Sequence, residues 1–266
     1  AVDAGAPSID AATAGDAAEP DVDAWVAPPE THLAELVDPF IGTSSNRNIN
    51  CFPGAIVPWG MVSASPDTTA SHGNVPTQNH AAGYLSEDDL IQGFSHTRLQ
   101  GTSTPDLGSV MLMPVVGSPS GVIREVDYRS PYERTTETAA PGYYAVTLTR
   151  PNVRAELTVT ARAALHRYTF QSAPADGEGR VVVDLGHALV GVNVANAEVR
   201  QESGVLEGFT QPNGRFSGPS RGGLKVYYSI AFDPAPSAIV LFRDGALADG
   251  SQQTAPNVCA VASFPV

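Results

Sequence analysis

Cysteine is nearly absent: the 266-residue chain holds Cys51 and Cys259 and no others. Two cysteines make neither a disulfide framework nor a zinc site. They could pair in an oxidising compartment, closing a loop that would constrain the unfolded chain by about 5 kcal/mol, or remain two free thiols. Positive charge is scarce as well. Lys and Arg number 15 against 28 Asp and Glu, a net charge of −13. That balance argues against nucleic acid as a partner, because phosphate binding needs a basic face, and against an anionic membrane surface. No run of about eighteen apolar residues occurs, so no membrane insertion is expected. The chain has no Asn-x-Ser/Thr sequon, and N-glycosylation of the protein itself is not expected. It opens at Ala1 with neither Met nor a signal peptide, so a secretion signal is expected to have been removed or to lie upstream.

Turn formers are what the chain has in quantity. With 25 Gly and 22 Pro against 16% charged residues, the composition suits a turn-rich β protein better than a helical bundle. The acidity is uneven. Residues 1–30 contain Asp3, Asp10, Asp16, Glu19, Asp21, Asp23 and Glu30, no Lys or Arg, and many Ala and Pro. Little there could bury surface, so 1–30 is expected to be a disordered Ala/Asp/Pro-rich linker, whether a spacer from a cell surface or a link to upstream sequence. Residues 31–266 are expected to form one domain. Val153–Thr160 (VRAELTVT) alternates strictly between apolar and polar, the two-residue period of a half-buried strand. Tyr143–Thr149 precedes it across a Pro151-Asn152 turn and completes a hairpin. Further strands are expected at Val110–Val116, Ala164–Phe170, Val181–Leu185, Ala197–Gln201, Val205–Thr210, Lys225–Phe232 and Ala238–Phe242, separated by turns at Asp176-Gly177, Asn213-Gly214 and Gly222-Gly223. No long segment carries a 3.6-residue apolar period. The fold class is therefore all-β, a large antiparallel β-sandwich with long N-terminal loops. Val37–Leu112 reads as one loop-rich, polar segment. Such stretches in a compact domain usually carry function, so the site is expected there.

Chemistry-bearing motifs are few. His32, His72, His80, His96, His166 and His187 form no HxxxH or HxH pair, and no EF-hand loop occurs. Ser95, His96 and Asp106 do not make a triad. Neighbours in an extended segment point to opposite faces, and GFSHT is not the GxSxG elbow. Asp67, Glu87, Asp88, Asp89 and Asp106 are candidates for a glycosidase acid pair, though no spacing selects two of them. Asp67 and Asp106 each follow a proline and read as solvated or turn-capping residues. Trp59 and Tyr84 could stack on sugar rings, but an aromatic between Pro and Gly, as Trp59 is, is more often a core plug.

Several words then occur in order: LVDPFIGT (Leu36–Thr43), FPGAIVPWGM (Phe52–Met61), SPDT (Ser65–Thr68), AGY (Ala82–Tyr84), GFSHTRLQGT (Gly93–Thr102), LMP (Leu112–Pro114), PGYYAVTL (Pro141–Leu148) and LHRYTF (Leu165–Phe170). The series resembles the N-terminal β-sandwich domain of the bacterial glycoside hydrolase family 92 α-mannosidases. The resemblance implies a supersandwich of the galactose-mutarotase-like kind. It further implies an exo-acting, inverting, calcium-dependent enzyme that hydrolyses α-linked mannosides such as N-glycan or mannan chains. In the family, a C-terminal (α/α)6 domain carries the catalytic carboxylates and the main calcium contacts. No catalytic residue and no metal ligand is therefore assigned within this chain. The substrate-binding surface implied by motif match is Gly83, Tyr84, Ser95, His96, Thr97, Gly101, Thr102 and Asp106. The implied partners are α-mannoside glycans and the (α/α)6 domain, which should dock on an exposed apolar patch. The chain alone should be inactive, and the whole protein secreted, periplasmic or held at the bacterial cell surface, for instance as a lipoprotein. The words depart from the family pattern where Ser86 replaces a frequent aromatic, and where Arg98, Gln100 and Ser103 follow FSHT. A free-standing carbohydrate-binding or adhesion module is the alternative.

Overall fold

Apolar residues follow two patterns along the strands, and each pattern marks a different layer. The computed structural model describes residues 33–44, 50–71, 80–117 and 125–266; the linker expected at 1–30 lies outside them. Sixteen strands follow among the described residues: β1 (Ala55–Ile56), β2 (Ser63–Thr69), β3 (Leu90–Ser95), β4 (Met111–Val116), β5 (Ser130–Ala140), β6 (Tyr143–Leu148), β7 (Val153–Val159) and β8 (Ala164–Phe170). Then come β9 (Glu178–Asp184), β10 (Asn193–Glu202), β11 (Val205–Asn213), β12 (Val226–Ile230), β13 (Ala238–Arg243), β14 (Ala246–Ala248), β15 (Gln252–Ala255) and β16 (Val258–Pro265). Every pairing between them is antiparallel. A large sheet runs β14-β13-β16-β9-β4-β3-β5-β6-β7-β8, with β2 and β1 branching from β3, and a second sheet runs β12-β11-β10-β15.

Two cores hold these sheets. Tyr144, Val146, Ala155 and Leu157 of β6–β7 share one core with Ile91, Phe94, Met111, Val182, Phe242 and Val261. All of these belong to the large sheet, so that sheet folds back over itself. Leu112, Val181, Val183, Leu241 and Ala260 point the other way and meet Val194, Ala197, Val199, Leu206 and Ala255 of the small sheet. The central strands β4, β9 and β16 are thus covered on both faces. This is why they read as unbroken apolar runs, MLM, VVV and VCAVA, rather than as alternation. On β7 only one face is covered, and Val153, Ala155, Leu157 and Val159 alternate with solvent-facing Arg154, Glu156 and Thr158.

The all-β sandwich agrees with the sequence, and each expected strand is present to within a few residues. The Val37–Leu112 segment does not remain a loop: it supplies β1, β2, β3 and the start of β4. β2 (SASPDTT) escaped notice because it is buried along nearly its whole length with almost no apolar side chain. Both cysteines are free thiols, Cys51 half-buried and Cys259 buried. Burial raises the Cys259 pKa, so its reactive thiolate is suppressed.

Phe242 fills the space between the folded-back halves of the large sheet. Phe242→Ala should lower unfolding stability by about 3–5 kcal/mol in urea titration, whereas Leu247→Ala on the exposed β14 hairpin should change it by no more than about 0.5 kcal/mol.

Candidate functional site

Antiparallel pairing brings several loops to one end of the sandwich. Ser65 pairs with Ser95, Phe94 with Leu112, Met111 with Asp184, and Asn193 with Asn213. The start of β2 therefore lies beside the ends of β3 and β9 and the start of β4, and the loop after β9 leads back to β10. At this end a fully buried arginine binds the loops together. Arg98 Nη1 donates to Asp67 Oδ1 at 2.8 Å and to the Ala82 carbonyl at 2.9 Å. Nη2 donates to the Ser65 carbonyl at 2.8 Å, the Ser95 carbonyl at 3.0 Å and Ser95 Oγ at 2.8 Å. The guanidinium also lies over the Phe52 ring, 5.1 Å from its centroid. The other Asp67 oxygen meets His187 Nε2 at 2.8 Å. Asp67 is thus not the solvated turn residue its sequence indicated, but a buried ion-pair member in the middle of β2. Burial by itself would raise its carboxyl pKa. Arg98 and then His187 overcome this and hold it below the ordinary 3.8. Burial pulls His187 down, but the Asp67 hydrogen bond and charge outweigh it, so its pKa lies above 6.5.

The eight implied surface residues fall into two groups. Gly83, Tyr84, Ser95 and Asp106 are buried. Gly83 has φ +87°, and an added Cβ would overlap Asp67 Oδ1 and Arg98 Nη1, so only glycine admits the ion pair. The Tyr84 ring, implied as part of the sugar-binding surface, is instead buried, packed with Phe52 and Ala82. Its hydroxyl donates to Glu137, which also accepts from Tyr144 at 2.7 Å. Ser95 serves Arg98. Asp106 is wholly buried and clamps a distant loop: its carboxylate accepts from Phe216 N at 2.5 Å, Ser217 N at 3.2 Å and Ser217 Oγ at 2.5 Å. Gly214 has no space for a Cβ against that carboxylate. The second group faces outward. Gly101 and Thr102 are exposed, and His96 and Thr97 are half-buried.

Loop 97–110 is strained and stapled. Four of the eight described non-glycine residues with left-handed φ lie in it or against it: Asn50, Ser103, Leu107 and the β-branched Val110. Holding them are Gly101 N to Asn50 O at 3.0 Å, Gly108 N to Thr97 O at 2.7 Å, and Leu189 N to Leu107 O at 3.0 Å. Val110 turns its carbonyl onto His96 Nδ1 at 2.5 Å. A carbonyl only accepts, so Nδ1 carries the proton and Nε2 keeps a lone pair. The His96 ring stacks on His166 at 4.8 Å, and burial lowers both pKa values, keeping the pair neutral. Ahead of β3, Asp88 takes His80 Nε2 at 2.6 Å and Thr68 Oγ1 at 2.7 Å. The Asp67–Arg98–His187 network was missed from sequence, since its members span 120 positions and no local spacing connects them.

The family model for the glycosyl hydrolase family 92 N-terminal domain matches residues 36–266. The chain belongs to glycosyl hydrolase family 92. The family GH92 α-mannosidase BT3965 from Bacteroides thetaiotaomicron, solved with mannoimidazole, superposes with a TM-score of 0.75 at 27% identity, over 88% of this chain and 30% of that one. The inverting mannosidase BT2199 of the same organism shares the fold, with a TM-score of 0.72 at 22% identity over 90% and 30% of the two chains. An uncharacterized secreted glycosidase of Arthroderma benhamiae is 30% identical over 161 residues, 59% of this chain and 20% of that protein. The chain thus spans less than a third of the length of these relatives.

Two predictions follow from the Arg98 network. Arg98→Met leaves Asp67 buried without its partner and should cost about 3–5 kcal/mol in urea titration. The pH dependence has two opposed arms. His187, with its pKa raised, stabilises fully below 6.5 and loses that contribution as pH rises through its folded value. His96 and His166, with pKa lowered, contribute above 6.5 and lose it as pH falls. Stability should therefore peak near pH 6.5; His187→Asn should remove the decline on the alkaline side, and His166→Phe should flatten the acid side.

Proposed function

We propose that this domain forms one wall of the mannose pocket in an exo-acting, inverting α-mannosidase that hydrolyses α-linked mannosides of the N-glycan or mannan type. The observation that carries this reading is the family match over 36–266 together with 27% identity to an α-mannosidase. Its geometry supports the same reading. Exposed Gly101 and Thr102, with half-buried His96 and Thr97, stand on a loop fixed by buried Asp106, Ser95 and Arg98. The free Nε2 of neutral His96 accepts a hydrogen bond from a sugar hydroxyl, and Thr102 offers a further polar contact.

Inversion needs one carboxylic acid on the leaving oxygen and one carboxylate on the attacking water. The buried carboxylates beside this loop are engaged, Asp67 with Arg98 and His187 and Asp106 with the 216–217 amides, while Asp88, ahead of β3, holds His80 and Thr68 through one oxygen. In the proposed enzyme both catalytic groups come from the C-terminal (α/α)6 domain. Among the described residues no group of three or more His, Cys, Asp or Glu side chains converges. In the proposed enzyme the calcium ligands are assigned to the same partner domain. No described helix is long and apolar enough to cross a membrane. A secreted glycosidase among the relatives supports an extracellular, periplasmic or surface location.

The test is hydrolysis of nitrophenyl α-mannoside and α-mannobiose by the polypeptide that the whole gene encodes, with NMR reading the anomer first released. β-Mannose is expected, with loss of activity in EDTA and none in the 266-residue chain alone. His96→Ala should lower kcat/KM by about tenfold or more, the value of one lost sugar hydrogen bond. Glycan binding without turnover by the whole-gene polypeptide would favour an adhesion module instead.

A further inference from the structure

Trp59 is 100% exposed and has φ +60°. A bulky residue held in the left-handed region is strained, and a bare indole leaves a large apolar surface in water. Neither feature helps this domain to fold. The sequence reading of Trp59 as a core plug is therefore overturned: Pro58 and Gly60 flank it in the β1–β2 turn, and the turn carries the ring outward. The turn is also fixed. Gly60 N donates to Val57 O at 3.0 Å, and Met61 N donates to Ala161 O at 2.7 Å, pinning the loop to the turn between β7 and β8. Adjoining elements expose more apolar side chains: Met61 at 72%, Leu165 on β8 at 65% and Ile56 on β1 at 38%.

We propose that Trp59, with Ile56, Met61 and Leu165, is the anchor of the face on which the next domain of the family-92 chain docks. The inference rests on the multidomain reading above and names its contact surface. A sugar would need hydrogen-bonding groups beside the ring, and Ile56, Met61 and Leu165 supply none from their side chains. Trp and Met are instead the residues enriched at the buried centre of protein interfaces. The occupant is indicated by length: this chain covers 30% of the solved relatives and matches their N-terminal domain, so most of such a chain lies beyond this fold. A rigid, pre-strained anchor fits a permanent neighbour, because it has little freedom left to lose on docking.

Hydroxyl-radical footprinting read by mass spectrometry tests this without reference to activity. Trp59 and Met61 should oxidise rapidly in the 266-residue chain and at least about fivefold more slowly in the whole-gene polypeptide, as full burial in an interface requires. Tyr227, 73% exposed on the outer face of the small sheet, serves as the reference and should not change. Trp59→Asp should leave the melting temperature of the 266-residue chain unchanged or raised while lowering that of the whole-gene polypeptide. Equal oxidation in both proteins, or a gene with no further domain, overturns the proposal. Protection of the short chain by mannobiose, or protection that grows with its own concentration, overturns it in favour of a sugar or a second copy. Protected Trp59 in a polypeptide that cleaves no α-mannoside would leave the docking face standing and reject the activity.

Discussion

A buried guanidinium holds the Arg98 end of this domain together. Arg98 reaches β2 through Asp67 and the Ser65 carbonyl, β3 through Ser95, the AGY turn through Ala82, and the FPG segment through the Phe52 ring. Four segments are thereby fixed by one planar donor set, which lysine could not imitate. Burying two charges is expensive, and such a pair is weak support for stability in itself. Its consequence is geometric: with Arg98 in place, Gly83 can only be glycine, Ser95 can only face inward, and the loop leaving β3 has a single direction.

That constraint explains where the strain is tolerated. The left-handed Ser103, Leu107 and Val110 follow directly on Arg98 in sequence, and Asp106 among them holds the 214–217 loop through backbone amides. A doubly covered sheet supports all of this from below. β4 and β9 are buried on both faces, and their ends meet where Met111 pairs with Asp184. The loops thus rest on strands covered on both faces, while the half-exposed β7 and β8 lie at the margin.

Legibility in the sequence tracked the hydrophobic effect closely. Alternation in VRAELTVT and the unbroken VVV run gave their strands because apolar burial forms each of them. β2 was invisible for the opposite reason: Ser63, Ser65, Asp67 and Thr68 are buried by hydrogen bonds and one ion pair, and no periodicity records that. Asp67 looked like a turn residue because Pro66 precedes it, yet its partners lie 31 and 120 positions away. Trp59 misled in the reverse sense, since apolar character alone does not say whether a side chain meets its own core or another domain. The word series around Tyr84 and His96 does not say which of its members face outward: Gly83, Tyr84, Ser95 and Asp106 are buried, and Gly101 and Thr102 are exposed.

The charge state of the outward surface bears on the proposed chemistry. Glycoside cleavage passes through an oxocarbenium-like transition state carrying positive charge on the sugar. A wall that presented a free guanidinium or an imidazolium would oppose that charge. Here the guanidinium is enclosed and neutralised by Asp67, and burial against His166 keeps His96 uncharged. The implied surface residues that face out, Gly101, Thr102, Thr97 and His96, are neutral hydrogen-bonding groups. In the proposed enzyme these four would fix sugar hydroxyls while adding no positive charge of their own against the developing cation, with the acids that stabilise it on the opposite wall.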